Sequence, residues 1–168
     1  MKIRVVRPAE FEELGRITVA AYRHLQGGEP LGVYEDQLRA VSARAADSVV
    51  LVAVGETGDL RGGVTYVPDS GRAMSEFSDS EAAGIRMLAV HPDHQGAGIG
   101  RALTEACIAR ARAEGRPRIV LHSTQVMVVA RAMYARMGFV EAPELDVYVD
   151  ERPDAKDGLR LIAFVLAL

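Results

Sequence analysis

Residues 87–103 contain the feature that most constrains the fold of this chain: an apolar segment, a glycine-rich turn and a helical segment follow one another without interruption. Three glycines, Gly96, Gly98 and Gly100, stand at the turn, and a backbone without Cβ atoms bends tightly and approaches a ligand closely. The first N–H groups of the following helix have no partner within that helix and point toward the ligand. The segment therefore predicts a strand, a loop and a helix that bind an anionic group such as a phosphate or pyrophosphate.

The spacing of these glycines excludes two common phosphate-binding loops. A dinucleotide-binding loop requires the pattern Gly-x-Gly-x-x-Gly, but the residue three positions after Gly98 is Arg101. The loop of nucleoside triphosphatases ends in Gly-Lys-Ser/Thr, whereas residues 100–102 are Gly-Arg-Ala, without the lysine or the magnesium-binding hydroxyl. The pattern that remains, over residues 95–100, is Gln-x-x-Gly-x-Gly.

This pattern resembles the Arg/Gln-x-x-Gly-x-Gly/Ala pyrophosphate loop of the GNAT superfamily of acetyl-CoA-dependent N-acetyltransferases. In that family the loop follows a strand that ends in Leu-x-Val-x-Pro, which residues 88–92 match. A second family motif, Ala-x-x-x-Tyr-x-x-x-Gly-Phe, matches residues 130–139. The resemblance in motifs covers residues 84–140, and the flanking segments match the family by the order of their elements.

Hydrophobic periodicity predicts the elements of the whole chain. The predicted strands are residues 3–6, 48–54, 63–67, 85–90, 118–122, 146–149 and 160–166, and the predicted helices are residues 9–25, 34–45, 99–114 and 126–137. This order agrees with the fold that the resemblance implies, an α/β fold in which one mixed, twisted sheet of about six to seven strands carries helices on both faces. The resemblance also implies that the strands at residues 85–90 and 118–122 run parallel and separate, with the pantetheine arm of the cofactor between them. We expect one domain over residues 1–168.

The resemblance assigns acetyl-CoA, as co-substrate, to the strand, loop and helix of the first motif. Backbone N–H groups from Gln95 to the start of the helix would hold the pyrophosphate, and the Gln95 side chain would add a donor. Backbone groups at the end of the strand would pair with the pantetheine amides, as a ligand adds to an open sheet edge. The residues expected to bind the cofactor are Leu88, Ala89, Val90, Gln95, Gly96, Ala97, Gly98, Ile99, Gly100, Arg101, Ala102 and Tyr134.

Tyr134 is the expected general acid, because it stands at the tyrosine of the second family motif and its hydroxyl could protonate a departing thiolate. For the general base, many family members carry a glutamate on the strand before the loop, but Gly84 aligns with that position. Three side chains remain candidates for the base. They are Glu81 and Glu76, which precede this strand, and His122, which stands at the end of the neighbouring strand.

Composition limits the class of partner. The chain has a formal net charge of -3 with both signs mixed, which gives no basic face for nucleic acid. The longest apolar run, residues 161–168, is far shorter than a membrane span, so we expect a cytoplasmic protein without membrane association. Cys107 is the only cysteine, and its spacing from Leu103 and Ala111 places it on the inward face of a helix. We therefore expect Cys107 to fill the core and expect no metal site, since one thiolate cannot form a cluster.

The leading hypothesis is an N-acetyltransferase that moves an acetyl group from acetyl-CoA to a primary amine of a small molecule or a protein by direct attack. Two alternatives stay open: a catalytically silent acyl-CoA-binding or sensor domain, which Gly84 favours, and a transferase that uses another acyl-CoA or acceptor. In the family the acceptor usually meets the first helices, the segment before the central strand and the last hairpin. These segments contain Tyr22, Tyr34, Glu76, Phe77, Glu81 and Tyr148. Dimerisation is common in the family, and a homodimer is compatible with the resemblance.

Overall fold

The computed structural model describes residues 1–149 and 159–168, in which eight strands form a sheet with helices on both faces. The strands β1 to β8 are Lys2–Val5, Val49–Val54, Leu60–Val67, Ala83–Val90, Arg118–Ser123, Val140–Glu141, Val147–Val149 and Leu159–Ala167. The helices α1 to α5 are Phe11–Leu25, Tyr34–Arg39, Val41–Asp47, Ile99–Ala113 and Val128–Arg136. Short 3-10 turns lie at Pro8–Glu10, Pro92–His94 and Pro143–Leu145. Within these described ranges, no helix is both long enough and apolar enough to cross a bilayer.

The sheet is mixed, with a single parallel pair at its centre. Its strands follow the order β1-β2-β3-β4-β5-β8-β6, and β7 also pairs with β8. β4 and β5 are parallel, and the other strand pairs of the described residues are antiparallel. The predicted α/β class is therefore confirmed. The sheet has one strand more than expected, because the two-residue strand β6 is too short to give a periodic signal.

β4 and β5 separate within the sheet, as the resemblance implied. Their paired residues end at Ile85 and Leu121. β4 continues to Val90, which is still paired with Gly62 of β3. One edge of the second half of β4 therefore has no strand partner within the described residues.

A bulge in β4 lies just beyond its last pair with β5. The register between β3 and β4 shifts so that Met87 and Leu88 together stand opposite one residue, Val64. Met87 has a φ of 51°, a left-handed conformation that is uncommon for a residue with a side chain. Because a bulge bends its strand and redirects the neighbouring side chains, it changes the direction of β4 where the two strands part.

Helix α4 packs on one face of the sheet over an apolar core. Leu103, Cys107 and Ala111 are fully buried in that core, at the four-residue spacing expected for the inward face of the helix. Burial raises the pKa of the Cys107 thiol to about 12, so its thiolate does not form near neutral pH. Cys107 therefore fills the core, as predicted.

Helices α1, α2 and α3 cover the opposite face. The single helix predicted over residues 34–45 is wrong: α2 and α3 are separate, because the backbone leaves the helical region at Ala40, where ψ is 58°. The break directs Leu38 and Val41 into different apolar clusters, the first with Met87 and the second with Leu14. The sequence has no glycine or proline at this break, so hydrophobic periodicity predicts one continuous helix.

Candidate active site

The glycine-rich loop lies between the 3-10 turn at Pro92–His94 and the start of α4. Gly96 and Gly98 have φ values of 81° and 78°, in the left-handed region that glycine adopts without strain. A Cβ atom at either position would meet nothing within 4 Å. Glycine is therefore required for backbone conformation at these positions, and the loop presents bare backbone to open space.

The N–H groups of residues 96–101 form a run of free donors, because none of them has an acceptor within the described residues. The N–H groups on either side are used: Gln95 donates to the Pro92 carbonyl at 3.3 Å, and Ala102 donates to the Gly98 carbonyl at 3.0 Å. Gly98 is the N-cap of the 15-residue helix α4 and provides no side-chain hydrogen bond to it. Together with the dipole of α4, these free N–H groups suit an anion such as a pyrophosphate. The donor set is narrower than the sequence predicted, since Gln95 and Ala102 are already bonded.

The two polar side chains of the loop are engaged within the protein. Gln95 donates from Nε2 to the Val90 carbonyl at 3.2 Å, which ties the loop to the end of β4. Arg101 forms an ion pair with Glu105 one helical turn later, at 2.8 Å, and remains largely exposed. Gln95 therefore braces the loop through one hydrogen of its amide, and the second hydrogen leaves the predicted donor role open.

The start of α4 connects the loop to the unpaired edge of β4. A Cβ atom at Gly100 would lie 3.7 Å from both Met133 Sδ on α5 and Val90 Cγ2 on β4, so the first turn of α4 meets both elements. The unpaired edge of β4, which includes Leu88, Ala89 and Val90, runs from this point back to the separation from β5. The loop and the edge together have the form required by an elongated ligand with a charged end.

Tyr134 lies on α5 with only 5% of its surface exposed. Its ring packs against the rings of Phe139 and Phe164, with centroids 5.7 Å and 6.0 Å away. Its hydroxyl makes no hydrogen bond within the described residues. Burial, with a smaller contribution from the Cys107 thiol, raises the pKa of Tyr134 above its ordinary value. The phenol is therefore protonated at neutral pH, and its O–H is free to donate.

A carboxylate approaches His122 from the segment between β3 and β4. Glu76 Oε2 lies 3.7 Å from His122 Nδ1, and Glu76 Oε1 lies 2.6 Å from Arg86 Nη2. The other ring nitrogen, His122 Nε2, lies 2.9 Å from the Leu145 carbonyl. Since a carbonyl oxygen only accepts, Nε2 carries the hydrogen, and a neutral ring keeps Nδ1 as a proton acceptor beside the carboxylate.

Gly84, which the resemblance aligns with a glutamate position, is covered by an aromatic ring. A Cβ atom at Gly84 would clash with the ring of Phe77. Glu81 lies before the start of β4, 72% exposed and 3.6 Å from Arg118. Of the two glutamates considered from the sequence, Glu76 is the one that reaches His122.

Two tyrosines lie close to this cluster on helices α1 and α2. The rings of Tyr22 and Tyr34 meet edge to face, with centroids 6.0 Å apart. Burial raises the pKa of Tyr22 well above its ordinary value, and Tyr34, Tyr134, Arg86 and Glu76 all act on its charge. Tyr22 is therefore close enough to interact electrostatically with Glu76 and Arg86 and also with Tyr134. Glu76 and Tyr134 lie on opposite faces of the sheet. Across residues 1–149 and 159–168, no three side chains of the metal-ligating types converge.

Arg44 contacts the bulge of β4 from helix α3, and no feature of the sequence marks it as a functional residue. Arg44 is buried, and its Nη1 donates to the Leu38 carbonyl at 2.8 Å and lies 3.0 Å from Met87 Sδ. Hydrophobic periodicity does not predict the burial of Arg44, because a charged residue within a helical pattern is normally solvated.

The sheet, the loop and the open edge of β4 suit a protein that binds an extended, phosphate-bearing ligand. The comparison with known families is more specific: the model of the Acetyltransferase (GNAT) family matches residues 11–139. The chain belongs to this family, and the resemblance seen in its two motifs is confirmed.

Two acetyltransferases share sequence with part of the chain. Streptothricin acetyltransferase from Streptomyces lavendulae is 37% identical over 94 residues, which are 56% of this chain and 46% of that protein. Mycothiol acetyltransferase from Thermobispora bispora is 31% identical over 67 residues, which are 40% of this chain and 23% of that protein. The match spans less than half the length of either relative.

Similarity to solved structures extends over the whole chain. The protein yncA from Salmonella typhimurium, solved with its cofactor acetyl-CoA, has a TM-score of 0.70 and 23% sequence identity. The superposition covers 100% of this chain and 94% of that chain. At this level of identity, the similarity establishes a common fold.

Proposed function

We propose that the protein transfers an acetyl group from acetyl-CoA to a primary amine of a small molecule. The observation that carries the proposal is the run of free N–H groups at residues 96–101 beside the open edge of β4. Membership of the acetyltransferase family supports the reaction class. The two sequence relatives are named for streptothricin and mycothiol, which favours a small acceptor over a protein.

The strand, loop and helix of the first motif would hold the co-substrate. Residues 96–101 would donate to its pyrophosphate, and Leu88, Ala89 and Val90 would offer backbone groups to its amides. The open space around Gly96 and Gly98 supports this fit, since no side chain obstructs the backbone there. Bound acetyl-CoA supplies a thioester whose carbonyl carbon an amine can attack.

Tyr134 is the proposed general acid. Attack by the amine nitrogen forms the new C–N bond, and the C–S bond then breaks with its electron pair on sulfur. The O–H of Tyr134 would give its proton to that sulfur, so that a thiol leaves. Its raised pKa and its lack of a hydrogen-bond partner in the described residues both support this role.

His122, assisted by Glu76, is the proposed base. An alkylammonium has a pKa of about 10 and must lose a proton before its nitrogen can attack. His122 Nδ1 would accept this proton, and the carboxylate of Glu76 at 3.7 Å would stabilise the imidazolium that results. Arg86, at 2.6 Å from Glu76, holds the carboxylate in place. Glu81 is assigned no role, since its contact is with Arg118.

The test is a screen of an amine library with acetyl-CoA, in which a thiol reagent reports free CoA. The single cysteine of the chain, Cys107, is fully buried, so the folded protein adds little background to this signal. We expect CoA release that depends on the amine, with a product that is heavier by one acetyl group in mass spectrometry. Absence of acetyl-CoA binding in calorimetry would contradict the proposal.

A catalytically silent acyl-CoA-binding domain is the second candidate function. The observation that favours it is the ring of Phe77 over Gly84, where many relatives carry a glutamate. Acetyl-CoA binding with no CoA release, across the whole library and from mildly acidic to alkaline pH, would support this candidate. Transfer of a longer acyl group, or transfer to an alcohol, would appear as a different mass increment or a different product.

A further inference from the structure

Arg44 is a buried cation without an anionic partner in the described part of the chain. It is 3% exposed, and its Nε makes no hydrogen bond there. Burial lowers the pKa of Arg44 to about 10, so the guanidinium is still charged at neutral pH. Buried charges are normally paired, because removal of an ion from water is unfavourable unless another charge compensates it. The described residues therefore do not compensate the buried positive charge of Arg44.

The protein satisfies one of the three guanidinium nitrogens. Nη1 donates to the carbonyl oxygens of Leu38 and Gln37, at 2.8 Å and 3.3 Å, and lies 3.0 Å from Met87 Sδ. These contacts hold the guanidinium at the end of α2 and fix its orientation. Nε is buried without a hydrogen-bond partner within residues 1–149 and 159–168, and the hydrogen bonds of the guanidinium to these residues all come from Nη1.

Arg44 lies beside the point where β4 and β5 separate. Met87, which it contacts, is the bulged residue of β4 just beyond the last pair with β5. Tyr22, Tyr34 and Arg86 act on the charge of Arg44, so these residues share one electrostatic environment. An anion bound at Arg44 would therefore lie next to the proposed site of amine attack.

The charges of this environment do not balance. Of its two guanidinium groups, Arg86 is paired with Glu76 at 2.6 Å and also donates to the Met74 carbonyl at 3.1 Å. Arg44 has no such partner among the described residues. The chain as a whole has a net charge of -3, so this local excess of positive charge does not reflect a generally basic protein. A carboxylate from a ligand would complete the arrangement.

We infer that the amine acceptor carries a carboxylate, as a free amino acid does, and that Arg44 binds this group. The inference rests on the proposed acetyl transfer and names the acceptor class of the same site. The planar guanidinium offers two parallel donors that match the two oxygens of a carboxylate. The α-amino group is one carbon away from the carboxylate, so carboxylate binding at Arg44 would hold the amine close to the point where β4 and β5 separate. The terminal amino group of a protein has a peptide bond in place of this carboxylate and fits the site less well.

A purely structural role for Arg44 makes a different prediction. If Arg44 only caps α2 through the carbonyl oxygens of Leu38 and Gln37, turnover will not depend on a carboxylate in the acceptor. The two roles are separated by the acceptor preference of the unmodified protein, which requires no variant.

The first experiment compares each free amino acid with its amide and with its decarboxylated amine, at saturating acetyl-CoA. The amide has a less basic amino group than the acid and the decarboxylated amine a more basic one, so a preference over both cannot come from basicity. We expect kcat/KM for the acid to exceed both by about 10- to 100-fold, as for hydrogen bonds to a charged group. Equal turnover of the three overturns the inference and leaves acetyl transfer intact. Failure of all amines, despite acetyl-CoA binding, overturns acetyl transfer and this inference with it.

The second experiment compares Arg44→Gln with Arg116→Gln. Arg116 is a matched control, because its Nη1 also donates to a carbonyl, that of Ser80 at 3.3 Å, and its Nε is unpartnered in the described chain. It stands before β5, at the end of the sheet away from the loop. We expect Arg44→Gln to abolish the preference for the acid, so that kcat/KM for the acid falls to about that of the decarboxylated amine in the same variant. Arg116→Gln should keep the preference.

The folding of each variant is checked by its thermal unfolding. If Arg44→Gln does not fold, Arg44→Lys retains the charge and should keep part of the preference for the acid. A preference that survives fully in a folded Arg44→Gln protein overturns the assignment of Arg44 as the carboxylate-binding residue.

Discussion

Tyr134 and Cys107 lie close together in the core, and burial keeps both of them protonated. The pKa of each is raised, to about 12 for the thiol of Cys107. For Cys107 this removes any nucleophilic role. For Tyr134 it has the opposite consequence, because a general acid must hold its proton until the leaving group requires it.

Replacement of Tyr134 by phenylalanine removes the hydroxyl and keeps the ring between Phe139 and Phe164. We expect kcat at saturating acetyl-CoA to fall by about 100-fold, as is typical for loss of a general acid. The dissociation constant of acetyl-CoA, measured by calorimetry, should not change. A group acting as an acid loses activity above its pKa, and the pKa of Tyr134 is raised. Tyrosine ionisation should therefore cause no loss of wild-type activity below about pH 10. An unchanged kcat in Tyr134→Phe would remove the proposed role.

Glu76→Gln tests the base. The amide keeps the shape of the side chain but cannot stabilise a protonated His122, so we expect kcat/KM to fall by about 10- to 100-fold. Glu10→Gln is the matched control, since Glu10 also lies 2.6 Å from an arginine but belongs to the turn after β1. Its activity should equal that of the wild type. A loss of activity in Glu81→Gln, with Glu76→Gln unaffected, would favour Glu81 as the general base.

At the scale of elements, α4 offers an internal comparison because a glycine with positive φ stands at each end. Gly98 before the helix and Gly115 after it have φ values of 78° and 70°, and a Cβ atom at either would meet nothing within 4 Å. Alanine at either position is strained by about 1 to 2 kcal/mol, from backbone conformation alone. The two positions differ in that Gly98 belongs to the proposed anion site and Gly115 does not.

We therefore expect Gly98→Ala and Gly115→Ala to lower the free energy of unfolding by similar amounts, measured by urea denaturation. Gly98→Ala should also weaken acetyl-CoA binding by about tenfold, equivalent to one hydrogen bond to a charged group. Gly115→Ala should bind acetyl-CoA as the wild type does. Equal affinities in both variants would place the pyrophosphate away from this loop.

At the scale of the whole molecule, the sequence predicts features that lie within one segment. It does not predict contacts between segments that meet only when the sheet forms. The loop at residues 95–100 follows from glycine spacing within one segment, and the choice of Tyr134 follows from the family motif that residues 130–139 resemble. Glu76, Arg86 and His122 come from three segments that meet only after β4 and β5 pair, so no spacing reveals their contact. The bulge at Met87 carries no glycine to mark it. The sequence predicts Arg44 on the surface, but the break between α2 and α3 turns this residue inward.

The attachment of β1 to α1 involves a carboxylate with three hydrogen bonds. Arg4 donates to both oxygens of Glu10, at 2.9 Å and 2.6 Å, and the backbone N–H of Arg7 donates at 2.8 Å. These bonds, chiefly those from Arg4, lower the pKa of Glu10 to about 2. The carboxylate therefore links the edge strand of the sheet to the first helix in its charged form.

This link makes part of the stability of the molecule dependent on pH. Because the pKa of Glu10 is lower in the folded protein than in the unfolded chain, its contribution is complete above the unfolded value of about 4.3. It is lost progressively as the pH falls toward the folded value of about 2. We expect Glu10→Gln to lower the free energy of unfolding by about 1 kcal/mol at neutral pH, since the pair is partly screened by solvent. Urea denaturation of both proteins between neutral pH and pH 2 measures this difference, which should shrink as the pH falls below about 4. A difference that stays constant with pH would mean that Glu10 acts through packing and not through its charge.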